Sequence, residues 1–446
     1  MLGLFGTYDV AVAGAGVTGV ISAIAAARQG AKTLLIEGTG IVGGLITGGR
    51  MTKPTGPVEG GIFREMIDRA EALGGADSST RVSYWGPFTS IFDPEVMQRV
   101  VLELLEESGT ETLLHARIDD VIMEGHTVRG VRIHVKSGHK LVMAASTVDA
   151  SGDGDVAALA GAEFSVGRAS DGLTQPITSY VRVINVDVMR LAEYMQSHRE
   201  DFTDLVLPET ASRPEDYAFT LFATGFARVI EQARQEGFAW IIPKNHITIK
   251  TGLLPGEINI NATRVHGNAL DERVISNAEL SIRKQAYCVY DFLRKYVPGF
   301  EKSLFLDVGA RMGIRETRRI VGDYVLTEQD VLSEARFPDS IGVSKCAIDI
   351  HEPGGERGIM KGVGSGYDIP YRTLLPRGLD QLLVAGRCIS VDHVAHGSTR
   401  NTPACALTGE AAGVAAALSA KTGTPLRNLS IAELQQRLRA VGVPLR

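Results

Sequence analysis

The stretch VAVAGAGVTGVISAIAAARQGAKTLLIE, residues 10–37, carries the strongest local signal in the chain. Just before and into it, Tyr8–Ala13 alternates larger with small residues, which predicts a short buried strand. Gly14–Gly19 is a glycine-rich turn, and the alanine-rich run Val17–Gln29 predicts a helix. Lys32–Ile36 predicts a second buried strand. Strand, turn, helix and strand in this order predict a βαβ unit of a parallel sheet.

Three glycines of this unit have the spacing Gly14-x-Gly16-x-x-Gly19, and Glu37 follows the second strand. In dinucleotide-binding units the first glycine makes a tight turn, the second lets a pyrophosphate approach the backbone, and the third lets helix and strand pack closely. The helix N-terminus offers unpaired N–H groups to the phosphates. Glu37 can accept hydrogen bonds from both ribose hydroxyls and would repel a 2′-phosphate, which disfavours NADP. The sequence therefore predicts a dinucleotide site.

Two other interpretations of the same stretch are weaker. Val10–Ala27 carries no charge, but it consists of small residues rather than leucine or phenylalanine and is split at the glycines, which disfavours a membrane span. A glycine-rich turn without a ligand would not require an acid at the position of Glu37.

Composition and charge are those of an ordinary globular protein. Of 446 residues, 44% are hydrophobic and 22% charged, and the length favours two domains or one elaborate domain. The net charge is −6 with scattered lysines and arginines, so neither nucleic acid nor an acidic membrane is an expected partner. Cys288, Cys346, Cys388 and Cys405 form no CxxC pair, which predicts free thiols in a reducing cytoplasm and no metal site.

Two later segments extend the nucleotide-binding pattern. The loop GTGIVGGLITGG (38–49) is dense in glycine, as the approach of a long ligand to the backbone requires, although a flexible loop would have the same composition. Thr112–Ile122 and Val128–Lys136 predict a short β-meander, which a strand at Leu141–Val148 continues. That strand leads into DASGDGD (149–155), which predicts a return to the nucleotide fold. A calcium loop is the alternative, but the spacing is not that of an EF-hand.

A third segment, residues 379–419, repeats the strand, turn and helix pattern. Gln381–Ala385 predicts a strand, Gly386-Arg387 a turn, and Thr402–Ser419 a helix. A helix N-terminus directed at a flavin would stabilise the negative charge that builds up on reduction.

Within this helix, Thr402 can serve as the N-cap and Pro403 suits the first helical position. Gly409 and Gly413 lie four residues apart on one face, so a flat ligand or another backbone can come close. Packing against protein alone is the other interpretation of this helix.

Together these motifs resemble the FAD-dependent oxidoreductase family with the glutathione-reductase-like FAD fold, related to the fumarate reductase and succinate dehydrogenase flavoproteins. The resemblance extends over essentially the whole chain and identifies the cofactor, but not the substrate. Further runs that carry it are ININATRVHG (258–267), YVPGF (296–300), GIRETRRIVGDYVLTEQDV (313–331) and AIDIHEP (347–353).

The resemblance implies which residues hold FAD. Gly14, Gly16, Gly19 and Glu37 would hold the ADP half. The remaining implied contacts are Gly43, Gly44 and Gly48 along the pyrophosphate and flavin, Asp149 and Gly152 in the returning segment, and Gly386, Arg387 and Gly409 over the ribitol and flavin. Some relatives carry FAD covalently on a histidine in the loop that corresponds to residues 38–49. This loop contains no histidine, so non-covalent FAD is expected.

The resemblance also implies the domain organisation: an α/β Rossmann-type FAD-binding domain with an inserted α+β substrate domain. Residues 1–60, 100–164 and 366–446 would form the FAD-binding domain, 61–99 a connecting or lid segment, and 165–365 the substrate domain. In the substrate domain, periodicity predicts helices at Asp187–His198 and Asp271–Tyr296 and strands at Phe238–Lys250 and Glu257–Val265. The loop 74–88, with an aromatic tip, is a candidate lid, although aromatic residues more often pack in a core.

Four arginines within nine residues suggest how a substrate is held: Arg311, Arg315, Arg318 and Arg319. Arginine grips carboxylates in a bidentate manner, so a substrate with a carboxylate or an enolisable carbonyl is favoured. If 314–326 is a strand, Arg315 and Arg319 face one way and Arg318 the other. A salt-bridged surface with Glu316 and Asp323 is an equally good interpretation.

Three histidines are candidates for the base that takes a proton: His351, His393 and His396. The family resemblance places the segments of His351 and His396 near the reactive end of the cofactor. His351, His396 and Arg315 are therefore the predicted catalytic residues, although a structural role is common for any one histidine. Tyr371, Arg372 and Arg400 are secondary candidates for substrate contact.

The predicted function is a dehydrogenase or oxidase that transfers hydride between a small polar organic substrate and flavin N5. The chain has no second GxGxxG unit, which favours oxygen, a quinone or another protein as the external electron acceptor. An ene-type reductase similar to fumarate reductase is one alternative, and a non-catalytic flavin-binding subunit of a complex is another.

Overall fold

The computed structural model describes residues 3–78, 81–83, 86–88, 91–208, 210–353 and 358–446. Its helices are α1 (Val17–Arg28), α2 (Gly61–Ala72), α3 (Pro94–Glu107), α4 (Asp155–Leu159), α5 (Val188–Ser197), α6 (Ala227–Gln235), α7 (Glu272–Tyr296), α8 (Glu328–Leu332), α9 (His393–Thr399), α10 (Thr402–Thr422) and α11 (Ile431–Ala440). The first ten strands are β1 (Gly3–Ala13), β2 (Thr33–Ile36), β3 (Ala76–Asp77), β4 (Arg81–Ser83), β5 (Gly86–Phe88), β6 (Ile91–Phe92), β7 (Glu111–Leu113), β8 (Arg117–Glu124), β9 (Thr127–Val135) and β10 (Gly138–Asp149). The remaining strands are β11 (Phe164–Val166), β12 (Val181–Ile184), β13 (Phe202–Val206), β14 (Phe222–Gly225), β15 (Ile247–Thr251), β16 (Ile258–Asn261), β17 (Leu304–Val308), β18 (Arg318–Ile320), β19 (Ser340–Ser344), β20 (Ile348–His351), β21 (Gly358–Lys361), β22 (Tyr367–Pro370) and β23 (Leu382–Val384).

A seven-stranded sheet is the first of the two large sheets of the fold. Its order is β7-β2-β1-β10-β9-β8, and β23 also pairs with β10. The pairs β1–β2, β1–β10, β2–β7 and β10–β23 are parallel, whereas β8, β9 and β10 form an antiparallel meander. The chain is thus a mixed α/β protein with a parallel Rossmann-like sheet. Because the strands are parallel, the turns after β1, β10 and β23 meet at one edge.

The predicted βαβ unit is confirmed. Strand β1 is longer than predicted and begins at Gly3, because its first residues pair with β10 from Lys140 onward. Helix α1 ends at Arg28, and Gly30 follows with a φ of 79°, a left-handed conformation that suits glycine after a helix.

Helix α10 packs against α1 through its glycines. An ideal Cβ on Gly409 would lie 2.5 Å from the Thr18 carbonyl oxygen, and one on Gly413 would lie 2.2 Å from that of Ser22. The glycine at each position thus lets the backbone of α1 come close. The sequence left open whether a flat ligand or another backbone would approach this face, and the structure places a backbone there. This packing does not support the prediction that Gly409 contacts the flavin. The predicted N-cap was wrong by one residue, since Asn401 occupies it and Thr402 is the first helical residue.

Replacement of Gly413 tests this helix contact. In an isolated helix Gly→Ala stabilises by about 1 kcal/mol, because alanine is the better helix former. At Gly413 the added methyl group would clash with the Ser22 carbonyl oxygen, and overpacking of this kind costs about 1–3 kcal/mol. We expect Gly413→Ala to lower the free energy of unfolding in denaturant titration, and an increase would contradict the close approach of the two helices.

A six-stranded antiparallel sheet organises the middle of the chain, in the order β13-β14-β15-β16-β12-β17. One face packs on α5, α6 and α7 around buried side chains such as Ile249, Ile260 and Phe292. The predicted helices are confirmed to within one residue, with Asp187 and Asp271 as N-caps. The predicted strands were too long: β15 begins only at Ile247, and the chain before it is held by irregular contacts such as Trp240 Nε1 to the Lys244 carbonyl at 2.9 Å.

The two sheets do not divide the hydrophobic core at the predicted boundaries. Ile62 and Met66 of α2, together with Ile341 and Ile350 of the predicted substrate domain, share one buried cluster with the residues of α1 and α10. The segments on both sides of the six-stranded sheet therefore pack on the nucleotide-binding elements, and the division into domains stays a prediction. The proposed lid (74–88) lies partly outside the described residues, including its tip at Tyr84 and Trp85.

All four cysteines are free thiols, and three of them are buried. In the part of the chain that the structure describes, no helix is both long and apolar enough to cross a membrane. The same residues contain no group of three or more His, Cys, Asp or Glu side chains placed to hold a metal ion.

Candidate active site

The turn after β1 forms an open cradle at the N-terminus of α1. An ideal Cβ on Gly16 would meet no atom within 4 Å, whereas one on Gly19 would lie 1.7 Å from the Gly14 carbonyl oxygen. Gly14 itself has a φ of 90° and lies against the backbone of Ala150. Gly14 and Gly19 therefore serve the turn and its packing, while Gly16 borders free space.

This free space fits the pyrophosphate of a dinucleotide. No side chain caps α1, and its first turn contains no acidic residue, so its N–H groups remain available to an anion. The second glycine loop closes one side: the Gly43 N–H donates to the Ala15 carbonyl at 2.8 Å, and an ideal Cβ on Gly44 would lie 3.0 Å from the Gly16 Cα. Gly48 lies farther along, packed on Ile41 within its own loop.

Glu37 is buried at the end of β2, beside this cradle. Its Oε2 accepts a hydrogen bond from the Ala15 N–H at 2.9 Å, which fixes the carboxylate against the glycine turn. Its Oε1 accepts from the Thr39 N–H and hydroxyl at 2.8 and 2.9 Å, and also from the guanidinium of Arg311. A ribose hydroxyl can therefore reach Oε1 only if Arg311, the longest and most flexible of these donors, moves away.

The returning segment after β10 is held by its own side chains. Asp149 is completely buried and accepts hydrogen bonds from the Ser151 hydroxyl at 2.6 Å and the Ala157 N–H at 2.9 Å. Burial raises the pKa of Asp149 to about 6. These contacts give Asp149 a structural role and do not support the predicted contact with the cofactor.

Arg387 connects this segment to the turn after β23. Its Nη2 donates to Asp153 Oδ1 at 2.8 Å, beside Gly152, and among the described residues its buried Nη1 has no acceptor. Buried N–H groups are nearly always paired, so this nitrogen is suited to an oxygen of a bound group. Gly386, with a φ of 82°, brings the turn against the Thr18 side chain at the start of α1.

Two neighbouring cavities lie next to these elements. The sheet cavity, about 180 Å³, lies on the exposed face of β14, β15 and β16. The junction cavity, about 140 Å³, is reached by Leu45 of the second glycine loop, by Arg387, and by Thr402 at the start of α10. The two cavities share five lining residues: Thr55, Tyr180, Asn261, Asp349 and His351.

His351 lies at this boundary, as the last residue of β20. Its Nε2 is 3.3 Å from Asp349 Oδ1, which leaves Nδ1 as the nitrogen that can accept a proton. Asp349 also pairs with Arg400, whose Nη2 is 3.1 Å from Oδ2. Burial alone would raise the pKa of Asp349, but His351, Arg400 and Arg315 lower it well below its usual range, so this carboxylate is ionised.

Arg315 lines the junction cavity beside this pair. Its Nη1 donates to the Pro176 carbonyl, and it forms no ion pair within the described residues. Burial and then Arg400 lower the pKa of Arg315 to about 10. Burial, and then Arg315, lower the pKa of His351 to about 4, so its imidazole is neutral at pH 7.

The other three arginines of the predicted cluster do not reach either cavity to hold a substrate. Arg311 pairs with Glu37, Arg318 with Asp155, and Arg319 with Glu316. The predicted strand 314–326 is only β18, so the expected alternation of side chains does not apply to Arg315. The salt-bridged interpretation therefore describes these three residues.

Of the remaining candidates, all but Arg400 lie outside the lining of both cavities. His396 is 1% exposed, donates from Nε2 to the Arg387 carbonyl at 3.0 Å, and has no partner for Nδ1 among the described residues. Burial, and then Arg319, lower its pKa well below the usual range. His393 pairs with Glu316, Tyr371 donates to the Leu426 carbonyl, and Arg372 pairs with Asp339. Of the secondary candidates, only Arg400 reaches the junction cavity.

Sequence reasoning missed the polar face of the six-stranded sheet. Lys244, His246, Thr248 and Lys250 all line the sheet cavity. Their spacing of two, opposite the buried Ile247 and Ile249, is the signal that identifies one face of a strand.

The fold and the cradle agree with the comparison to known families. The model of the FAD dependent oxidoreductase family matches residues 9–438, nearly the whole chain. The chain belongs to this family. It is therefore an FAD-dependent enzyme with FAD as its cofactor, as the resemblance of its motifs predicted.

Solved structures with similarity to this FAD-dependent oxidoreductase are distant. A geranylgeranyl bacteriochlorophyll reductase-like protein from Thermoplasma acidophilum is 15% identical, with a TM-score of 0.49, 97% of this chain covered and 82% of that chain. A flavin-dependent brominase is 14% identical, with a TM-score of 0.48 and coverage of 97% and 83%. The p-nitrophenol 4-monooxygenase of Pseudomonas putida is 10% identical, with a TM-score of 0.49 and coverage of 97% and 84%.

Proposed function

We propose that this enzyme transfers hydride between a small carboxylate-bearing organic substrate and FAD, and that the substrate binds where the two cavities meet. FAD, when bound, accepts or supplies the hydride at N5. In this proposal FAD is bound without a covalent link in a glutathione-reductase-like arrangement. Gly16 and Glu37 contact the ADP half, Gly14 and Gly19 shape the turn that holds it, and Gly43, Gly44, Gly386 and Arg387 border the rest of the cofactor.

Arg315 is the proposed anchor for the substrate carboxylate. The Arg315 guanidinium is only partly exposed and forms no ion pair with the described residues, which is costly, and a bound carboxylate would offset that cost through paired hydrogen bonds. Arg400 is held by Asp349 and lies on the same side, so it can add positive charge without leaving its partner.

His351 is the proposed base. When a C–H bond next to a hydroxyl or amine is oxidised, the carbon loses a hydride and the O–H or N–H loses a proton. His351 Nδ1 takes that proton, while Asp349 holds the Nε2 side of the ring. A carboxylate on Arg315 offsets the positive charge that lowers the pKa of His351, so substrate binding raises this pKa toward neutrality.

The observation that supports this proposal is the position of His351 and Asp349 in both cavities, beside Arg315. The test is anaerobic mixing of the FAD-loaded protein with hydroxy acids and amino acids, with matching alcohols and amines that lack the carboxylate. We expect at least one acid to bleach the visible absorbance of flavin, and its matching compound without the carboxylate to do so much more slowly. Equal rates for the two would contradict the role of Arg315.

An ene-type reductase is the second candidate. The lowered pKa of the half-buried Arg315 brings it closer to the range of a proton donor, which such a reaction needs at the product carbon. Reoxidation of dithionite-reduced protein by an α,β-unsaturated acid, with no bleaching by any saturated acid, would favour this direction.

A further inference from the structure

Several basic side chains besides His351 line the sheet cavity. Lys244, His246 and Lys250 all line this cavity, Lys250 from β15 and the other two from the irregular chain just before it. Ile247 and Ile249, on the other side, are buried in the core of the six-stranded sheet. Because the other face of the sheet is packed in the core, these basic side chains stay in the cavity wall.

Among the described residues, neither Lys244 nor Lys250 has a carboxylate partner. Lys244 and Lys250 are 7% and 5% exposed, and in the described part of the chain neither forms an ion pair. Lys244 Nζ is 3.4 Å from the Asn261 carbonyl oxygen, and Lys250 Nζ lies 4.8 Å from the ring centre of Tyr180. Such contacts replace only part of the hydration that a buried ammonium group loses.

Among the described residues that line the sheet cavity, basic side chains outnumber acidic ones. Arg264, 4% exposed, and Lys53 also line the cavity, and Lys53 lies near Asp204. Asp349 is the one acid among the described lining residues, and it is already paired with His351 and Arg400. Burial, and then Arg264 and Arg315, lower the pKa of Lys244 to about 7, while burial and then Lys53 lower that of Lys250. A bound anion would offset this excess positive charge.

We propose that the sheet cavity is an oxyanion site, which binds a phosphate or carboxylate group of the substrate remote from the carbon that reacts. The substrate is then a small dianion, held by Arg315 near His351 and by Lys244 and Lys250 at the other end. The hydroxyls of Thr224 and Thr248, 3.1 Å apart on the same sheet face, add further donors. This inference rests on the proposed function, since that proposal places the first anionic group on Arg315.

Thermal unfolding of the protein with saturating FAD tests the site without turnover. Inorganic phosphate and malonate are titrated separately at an ionic strength kept constant with chloride. We expect at least one of them to raise Tm with concentration, and Lys244→Met and Lys250→Met each to weaken that effect at least tenfold in apparent Kd. In chloride alone both variants should melt above the wild type, because a buried basic group is replaced by an apolar side chain of similar size. Lys284→Met, at an exposed position of α7, is the matched control and should keep the wild-type response.

The anion that raises Tm identifies the remote group of the substrate. A response to phosphate alone identifies a phosphate as the remote group, and a response to malonate alone identifies a carboxylate. No response to either beyond that of chloride, or an unchanged response in both lysine variants, would overturn the oxyanion site. If flavin is then still reduced by a monocarboxylate, the proposed function stands without this site. If the anions bind but no acid exchanges electrons with the flavin, the proposed function fails instead.

Discussion

Gly16→Ala is expected to give a protein that folds as the wild type but binds FAD about 10- to 100-fold more weakly. The Cβ of an alanine at this position meets no protein atom within 4 Å, and the φ of −67° suits alanine, so the apoprotein should keep its Tm. The methyl group would instead occupy the space into which the pyrophosphate must come, at a cost of about 1–3 kcal/mol. Titration of apoprotein with FAD, followed by flavin fluorescence, measures this loss.

Gly19→Ala, three residues farther along the same motif, is the matched comparison. Its Cβ would clash with the Gly14 carbonyl oxygen, only 1.7 Å away, so the turn itself must distort. We expect the free energy of unfolding of the apoprotein to fall by about 3 kcal/mol or more. If Gly16→Ala destabilised the apoprotein as much as Gly19→Ala, or if it bound FAD normally, the assignment of separate roles to these two glycines would be wrong.

His351→Gln should slow reduction of the flavin by a substrate acid about 10²- to 10⁴-fold, the usual contribution of a general base. FAD content should not change, because His351 lies outside the glycine cradle and contacts Asp349 and Gln175. In the wild type, the rate of reduction should fall as the pH drops through the pKa of His351 and the ring becomes protonated. The variant should lose this part of the pH profile. Anaerobic stopped-flow absorbance measures both effects.

His139→Gln is the control for this variant, since His139 is exposed on the meander and pairs with Asp119. It should reduce at the wild-type rate at every pH. A His351→Gln variant that kept the rate and the pH profile of the wild type would leave His351 with a structural role and would contradict the proposed base.

The sequence was sufficient to predict the elements whose signal is local. The GxGxxG turn, the helix α1 and the acid Glu37 lie within 28 residues, and their physical roles depend mainly on one another. The N-caps Asp187 and Asp271 were predictable for the same reason, because a short polar side chain before a periodic segment acts on the next turn.

Contacts between distant segments were not predictable in this way. The packing of Gly409 on Thr18, and the pairing of Arg311 with Glu37, join parts of the chain that are hundreds of residues apart. Periodicity alone could not predict which of the four arginines lines a cavity, because residues 314–326 are mostly irregular. Among the four, only Arg315 lines one. The buried lysines were missed because lysine at alternate positions of a strand is typical of a solvated face.

The central claim is that this chain holds FAD without a covalent bond in the cradle of α1. Its test is the visible absorbance of the purified protein, and of the supernatant and the precipitate after the protein is denatured with acid. The account predicts a yellow protein with about one flavin per chain, all of which passes into the supernatant as FAD when the protein is denatured. Flavin that stays with the precipitate would contradict the non-covalent site, and a protein that neither contains flavin nor binds added FAD would contradict the account as a whole.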